Sequence, residues 1–110
     1  MSAQKALNLT PAELLDRQNS GELWRLLDVR EAWEIEIARL PGAQSIPMQE
    51  IPARLGDLDP AASVAVLCHS GGRSARVADW LIDRGFATVA NIEGGIDAWA
   101  IEIDATIPRY

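Results

Sequence analysis

Five short apolar segments along the chain predict β-strands, and segments of helical periodicity alternate with them. The clearest strand is Ser63 to Leu67, in which four consecutive apolar residues follow one serine. A continuous apolar run of this length is typical of a central parallel strand covered on both faces. The predicted strands cover residues 6–9, 24–29, 43–46, 63–67 and 88–92.

Helices are predicted in the segments between these strands. Thr10 can cap a helix, Pro11 suits its first position and Glu13 completes a capping box. A second helix is predicted from Arg73 to Arg84, where Gly85 suits a left-handed C-cap. Shorter helices are predicted over residues 31–38, over residues 48–55 with an interruption or start near Pro52, and after Gly94 and Gly95 through Trp99. This alternation predicts an α/β fold with a mainly parallel sheet.

The composition narrows the class of protein further. The chain has 110 residues, of which 48% are hydrophobic, so one domain spanning residues 1–110 with a core of its own is expected. It contains one cysteine and one histidine, which excludes an internal disulfide and a structural zinc cluster built from these residue types. We therefore expect no metal, and nothing in the sequence requires an organic cofactor.

The charge balance bears on the possible partners. The formal net charge is −6, which argues against binding to nucleic acid or to an anionic membrane surface. No stretch approaches the roughly 20 apolar residues of a membrane span, and the first residues do not resemble a secretory signal. We expect a soluble cytoplasmic protein. If its substrate is a small anion, the site must supply its own positive potential.

Cys68 is the strongest candidate for chemistry. It directly follows the apolar strand Ser63 to Leu67, and Gly71 and Gly72 lie between it and a helix predicted to begin near Arg73 or Ser74. Parallel strands gather ligands at their carboxyl ends, and a helix N-terminus presents unpaired amides and a positive dipole. Such surroundings lower the pKa of a free thiol from about 8.5. The pattern predicts a reactive thiolate in an anion-binding loop, whereas a lone cysteine elsewhere is often only a small buried residue.

The residues after Cys68 would complete this loop. Arg73 would hold an anionic substrate and help to activate the thiolate. Ser74 is expected to cap the helix first and to donate a hydrogen bond to the site second. His69 and Ser70 are expected to line the mouth of the pocket or to be solvated, because neighbours in sequence seldom direct their side chains at each other.

Two charged residues at the end of the second strand are placed on the same rim. Asp28 and Arg30 could support the site, although the structural interpretation is favoured: Asp28 capping the next helix and Arg30 paired with a carboxylate. The four tryptophans are most simply core or half-core residues, and of these Trp33 is the one that could border the site.

Four stretches together resemble the rhodanese domain of sulfurtransferases in its single-domain form. They are residues 26–31, 41–47, 68–74 and 91–99, and they occur in the family's order. The resemblance implies a three-layer fold, with a five-stranded parallel sheet between helices. It also implies a persulfide on Cys68, loop amides from His69 through Arg73 around its terminal sulfur, and Asp28 and Arg30 in the wall behind the loop. One departure is residues 38–40, Ala-Arg-Leu where many members have Gly-His-Ile; here Arg39 would add positive potential.

The resemblance implies sulfur transfer from a small sulfur-containing anion such as thiosulfate to a thiol, to a protein sulfur acceptor or to cyanide. One alternative is a sulfur carrier or docking module with little turnover of its own. Another is a cysteine-dependent phosphatase or arsenate reductase, since the related cell-cycle phosphatases use the same Cys-loop-Arg arrangement. Four residues separate Cys68 from Arg73, where those phosphatases have five, and this favours sulfur transfer.

Overall fold

A computed structural model describes residues 5–110 as a parallel sheet flanked by helices. The strands are β1 (Leu7–Leu9), β2 (Arg25–Asp28), β3 (Gln44–Ser45), β4 (Ser63–Leu67) and β5 (Thr88–Ile92). The α-helices are α1 (Pro11–Asn19), α2 (Ala32–Ile37), α3 (Gly72–Asp83) and α4 (Gly95–Glu102). The predicted α/β class and the five predicted strands are confirmed: β4 and β5 have the predicted ends, and β1, β2 and β3 are one or two residues shorter than predicted.

The sheet has the strand order β1-β5-β4-β2-β3, and every pairing in it is parallel. β4 lies at the centre, where Val66 is in register with Leu27 of β2 and with Asn91 of β5. All strands therefore end at the same edge, and Cys68 follows the central strand at that edge.

The central strand supplies side chains to two separate cores. Ala65 and Leu67 pack into the core under α1 and α4, whereas Val64 and Val66 pack with Cys68 against α3. The even spacing within each pair follows from the alternation of side chains across a strand. Each fully buried valine or leucine side chain stabilises the fold by about 1.5–3 kcal/mol, and burial on both faces explains the uninterrupted apolar run.

Two helix predictions differ in outcome. The capping box of α1 is confirmed, because the Glu13 amide donates to Thr10 Oγ1 at 3.1 Å and the Thr10 amide donates to Glu13 Oε1 at 2.9 Å. Over residues 48–55 the interruption expected near Pro52 is present, but the segment is not α-helical. The segment forms two short 3₁₀ helices, Met48–Glu50 and Leu55–Asp57, joined by turns. Pro52 explains the break, since it has no amide hydrogen for a continuing helix.

None of the helices within residues 5–110 combines the length and the apolar character needed to cross a membrane.

Candidate active site

The loop from Cys68 to Gly71 joins β4 to α3 and carries the thiol at the carboxyl edge of the sheet. Gly71 is the N-cap residue of α3 and has φ +106°, a left-handed conformation that favours glycine. A Cβ at this position would also lie 3.2 Å from the amide nitrogen of Gly94. In this conformation the Gly71 amide donates a hydrogen bond to Cys68 Sγ at 3.1 Å. The glycine therefore directs a backbone donor at the thiol.

The start of α4 holds the same loop from the other side. The Ile96 amide donates to the Cys68 carbonyl at 2.9 Å, and the Asp97 amide donates to the His69 carbonyl at 3.1 Å. Gly95 has φ +62°, and a Cβ there would overlap the carbonyl groups of Cys68 and His69. Amides that would otherwise be unpaired at a helix start thus fix two peptide groups of the loop.

The Cys68 thiol is buried, with 1% of the residue exposed. Its Sγ lies 3.2 Å from Ser74 Oγ and accepts the hydrogen bond from Gly71. Burial raises the pKa of the thiol, but hydrogen bonds from the Ser74 hydroxyl and from the amides of Ser74, Gly71 and Ser70 outweigh that effect. The net result is a pKa below the ordinary value of a cysteine, because these donors favour the thiolate.

Ser74 does not cap the helix, so that expectation is wrong. It lies within the first turn of α3, because the chain already enters the helix at Gly72 after the left-handed Gly71. The Ser74 hydroxyl is buried and donates to Asn91 Oδ1 at 2.5 Å. Asn91 Nδ2 in turn donates to Asn8 Oδ1 at 2.9 Å. Ser74 therefore connects Cys68 to a chain of amides that reaches the surface.

Asn91 was not among the residues expected at the site. It lies on β5 and is 9% exposed, and its neighbours in this strand are buried apolar residues. The signal in the sequence was a single polar residue inside an apolar strand. A buried amide of this kind requires hydrogen-bond partners, and it finds Ser74 and Asn8.

Arg73 forms a bidentate ion pair with Glu34 of α2. Arg73 Nη1 lies 2.6 Å from Glu34 Oε1, and Arg73 Nη2 lies 2.8 Å from Glu34 Oε2. Hydrogen bonds from Arg73 lower the pKa of Glu34 to about 2, against the opposing effect of burial. The pKa of Arg73 lies above its ordinary value, chiefly because of Glu34, and a Cys68 thiolate adds to that shift. The expected substrate-binding cation thus has a carboxylate partner that sequence reasoning missed.

Asp28 and Arg30 form a buried ion pair at the end of β2. Arg30 Nη2 lies 2.7 Å from Asp28 Oδ2, and Arg30 is fully buried. The expectation that Asp28 caps the next helix is wrong, since the N-cap residue of α2 is Glu31 and the Asp28 carboxylate accepts from both the guanidinium and the amide of Arg30. Arg30 also donates to the Ala38 carbonyl at 2.7 Å, which ties β2 to the end of α2.

Three aromatic rings lie together beside the loop. The His69 imidazole stacks on the Tyr110 ring with centroids 4.2 Å apart, and Trp33 meets Tyr110 edge-on at 6.1 Å. We call these three residues the aromatic rim. Trp33 is 58% exposed, so it is not a core residue, and it borders the site as the sequence allowed. Residues 105–110, the tail that carries Tyr110, show no clear period in the sequence, so the contribution of Tyr110 to the site is not predicted from it.

The Tyr110 hydroxyl joins the two ion pairs. It donates to Glu34 Oε2 at 2.8 Å and accepts from Arg30 Nη1 at 2.9 Å. Burial, together with the hydrogen bond to Glu34, raises the pKa of Tyr110 to about 12, although the Arg30 guanidinium opposes the shift. The hydroxyl therefore stays protonated over the physiological range and can serve as a donor.

The part of the chain that the structure describes contains no cluster of side chains suited to bind a metal ion. Among residues 5–110, no group of three or more His, Cys, Asp or Glu side chains is arranged to hold a metal ion.

The structure is an α/β domain with a parallel sheet, and its thiol lies in a glycine-containing loop at the start of a helix. The sequence model of the rhodanese-like domain matches residues 10–102, and the chain belongs to this family.

Individual relatives agree with this assignment. Rhodanese-like/PpiC domain-containing protein 12 of Arabidopsis thaliana, a chloroplastic protein, is 46% identical over 90 residues, which cover 78% of this chain and 30% of that protein. The chain thus spans less than a third of that relative. The putative sulfurtransferase YtwF of Bacillus subtilis is 37% identical, over 83% of this chain and 87% of its own. The crystal structure of a rhodanese-like domain protein from Staphylococcus aureus superposes with a TM-score of 0.80 at 29% identity, covering 94% and 98% of the two chains.

Proposed function

We propose that this protein is a sulfurtransferase in which Cys68 carries a sulfane sulfur as a persulfide. The observation that carries the proposal is a buried thiol that accepts a hydrogen bond from the Gly71 amide in a loop at the start of α3. The lowered pKa of Cys68 supports its use as a nucleophile. Relatives named sulfurtransferase and sulfur carrier protein support sulfur transfer as the reaction type.

The reaction proceeds in two steps that return the thiolate. With thiosulfate as donor, Cys68 Sγ attacks the outer sulfur, the sulfur–sulfur bond of thiosulfate breaks, and sulfite leaves with the bonding electron pair. The persulfide formed on Cys68 then gives its terminal sulfur to a thiol, to a protein sulfur acceptor or to cyanide, and the Cys68 thiolate is the leaving group. This is covalent ping-pong catalysis.

The loop stabilises negative charge at the sulfur that is transferred. The amides from His69 through Arg73 surround the terminal sulfur, where they stabilise negative charge as it develops. Ser70 and Gly72 contribute to this cradle through their backbones, while Ser74 approaches Sγ itself at 3.2 Å. The Asp28–Arg30 ion pair supports the loop from behind and does not touch the donor.

A carrier or docking role is the second candidate for this chain. A carrier forms the same persulfide but passes it only to a protein partner, so the site itself does not distinguish the two roles. The phosphatase alternative is weaker, because Glu34 occupies the guanidinium that would have to bind a phosphate. The protein is proposed to act without nucleic acid and in the cytoplasm, where small thiols are available.

Intact mass of the reduced protein tests the proposal. After incubation with thiosulfate, the mass should rise by one sulfur atom, and addition of cyanide should return it to the starting value. Cys68→Ala should show no gain and should stay folded, since the position is small and packed in an apolar core. A gain in Cys68→Ala would remove this residue from the mechanism, and fast turnover with cyanide would argue against a pure carrier.

A further inference from the structure

The two guanidinium groups near the loop, those of Arg73 and Arg30, each form an ion pair with a carboxylate. Arg73, which follows the loop, has both of its terminal nitrogens on the Glu34 carboxylate. Arg30 has its guanidinium on Asp28, on two backbone carbonyls and on Tyr110. An ion pair presents little net charge to a third group, so these arginines give the thiol little uncompensated positive potential.

Glu34 is built into its position. Its side chain is 3% exposed, and it accepts hydrogen bonds from Arg73, from the Tyr110 hydroxyl and from the Glu31 amide. A buried carboxylate that has this many donors is not displaced by an anion arriving from solvent. The Arg73 guanidinium is therefore held in an ion pair with Glu34 and is not free to bind an anionic substrate.

Three other arginines do not replace it. Arg76 of α3 is exposed and lines a separate cavity with Met48 and Trp80. Arg109, on the tail that bears Tyr110, is bound to Asp97 at 2.8 Å. Arg39 is exposed and lines a surface cavity beside Asp28, Pro41 and Ser45, at the β3 side of the sheet. The formal net charge of −6 adds a repulsive field for any anion. A dianion would rely on the loop amides alone.

The aromatic rim adds a second, independent observation. His69, Tyr110 and Trp33 place ring faces and edges beside the loop, and Trp33 is largely exposed. Aromatic surface of this kind favours contact with the carbon skeleton of an organic molecule over contact with a sulfonate group.

We propose that Glu34 is a specificity-determining residue that directs the site toward small organic hydropersulfides, R–S–S–H, and away from thiosulfate. This inference rests on the proposed sulfur transfer through Cys68. The Cys68 thiolate attacks the outer sulfur of R–S–S–H, the sulfur–sulfur bond of the donor breaks, and the alkylthiolate leaves. The hydrogen stays on the transferred sulfur, so atoms and charge balance. With thiosulfate, the same thiolate must approach a dianion and release a second dianion.

The first test uses the unaltered protein and needs no variant to fold. Single-turnover loading of Cys68 is followed by intact mass with cysteine hydropersulfide or with thiosulfate, at low and high ionic strength. We expect the hydropersulfide to load at least about tenfold faster, the lower end of what local potential changes in association rates. Added salt should speed loading by thiosulfate, because it screens repulsion, and should have a smaller effect on the hydropersulfide.

The second test removes the carboxylate charge. Glu34→Gln frees the Arg73 guanidinium, which is one-third exposed and can turn toward the mouth. Loading by thiosulfate should rise about tenfold, while loading by cysteine hydropersulfide should change much less. Glu36→Gln is the matched control: it removes the same charge from the same helix, at an exposed residue that has no ion pair within residues 5–110.

The outcomes separate this inference from the proposed function. Equal loading by both donors in the unaltered protein, together with a thiosulfate rate that salt does not raise, would overturn the role of Glu34 and leave sulfur transfer standing. Equal effects of Glu34→Gln and Glu36→Gln would do the same, because the net charge alone would then be responsible. If neither donor loads Cys68, sulfur transfer itself is wrong.

Discussion

The Tyr110 hydroxyl donates a hydrogen bond to Glu34 Oε2 at 2.8 Å across a separation of 76 residues in the chain. The same hydroxyl accepts from Arg30 Nη1, so one oxygen atom joins the Arg73–Glu34 ion pair to the Asp28–Arg30 ion pair. The ring below it stacks on His69. A tail without predicted secondary structure thereby becomes part of the site.

Tyr110→Phe should lower the free energy of unfolding by about 1–2 kcal/mol, because two buried charged groups, Arg30 and Glu34, lose one hydrogen-bond partner each. Tyr110→Ala should lower it further, since the stacking contact with His69 and the edge contact with Trp33 disappear as well. Urea unfolding monitored by circular dichroism measures both variants. Equal losses would show that the ring contributes nothing beyond its hydroxyl.

Ser74→Ala should raise the pKa of the Cys68 thiol. The Ser74 hydroxyl lies 3.2 Å from Sγ and is one of the groups that lower this pKa against the effect of burial. The rising limb of a pH–rate profile for thiol alkylation reports the thiolate fraction, and it should move to higher pH in the variant. An unmoved limb would assign the lowered pKa to the backbone amides alone.

Asn91→Ala should lower the pKa of the Cys68 thiol, the opposite of the change expected for Ser74→Ala. A hydroxyl group has one hydrogen, so Asn91 Oδ1, 2.5 Å from Ser74 Oγ, and Cys68 Sγ, 3.2 Å from it, compete for the Ser74 hydrogen. When the Asn91 acceptor is removed, the hydrogen points at the Cys68 thiolate more of the time and stabilises it. The alkylation profile should therefore move to lower pH, whereas Asn8→Ala, which leaves Asn91 in place, should produce a smaller shift. A shift to higher pH would show that Asn91 supports the thiolate.

Because of Glu34, the free energy of unfolding should decrease as the pH falls below about 4.5. Its folded pKa is about 2 and its reference value is 4.5, so between these values the unfolded chain binds the additional proton. The contribution of Glu34 is complete above about pH 4.5, is lost as the pH falls toward 2, and amounts to roughly 3 kcal/mol. Urea unfolding at several pH values measures it. Glu34→Gln should flatten the dependence, and Glu36→Gln should not.

Features determined by neighbouring residues could be predicted from the sequence. The capping box of α1 needs only Thr10 and Glu13, and the position of Cys68 after β4 follows from one apolar run. Both are confirmed, because short segments contain all the groups that form them.

Features that depend on distant contacts could not be predicted in the same way. Glu34 pairs with a residue 39 positions away, and Asn91 reaches Asn8 across 83. On the sequence, Glu34 is one of several acidic residues around a short helix, and only its burial and its ion pair with Arg73 distinguish it from Glu36. The expectations for Ser74 and Asp28 failed for a related reason, since each prefers a buried partner to the helix end beside it.

The contact between Gly95 and the loop separates the placement of the Cys68 thiol from the side chains that surround the site. The position of the thiol is fixed by backbone groups, since the Ile96 and Asp97 amides hold the carbonyls of Cys68 and His69 and no side chain lies between the two segments at Gly95. Side chains such as Glu34 and Tyr110 lie around this backbone contact and take no part in it. Substitutions around the mouth are therefore expected to change what the site binds while the Cys68 thiol stays in place.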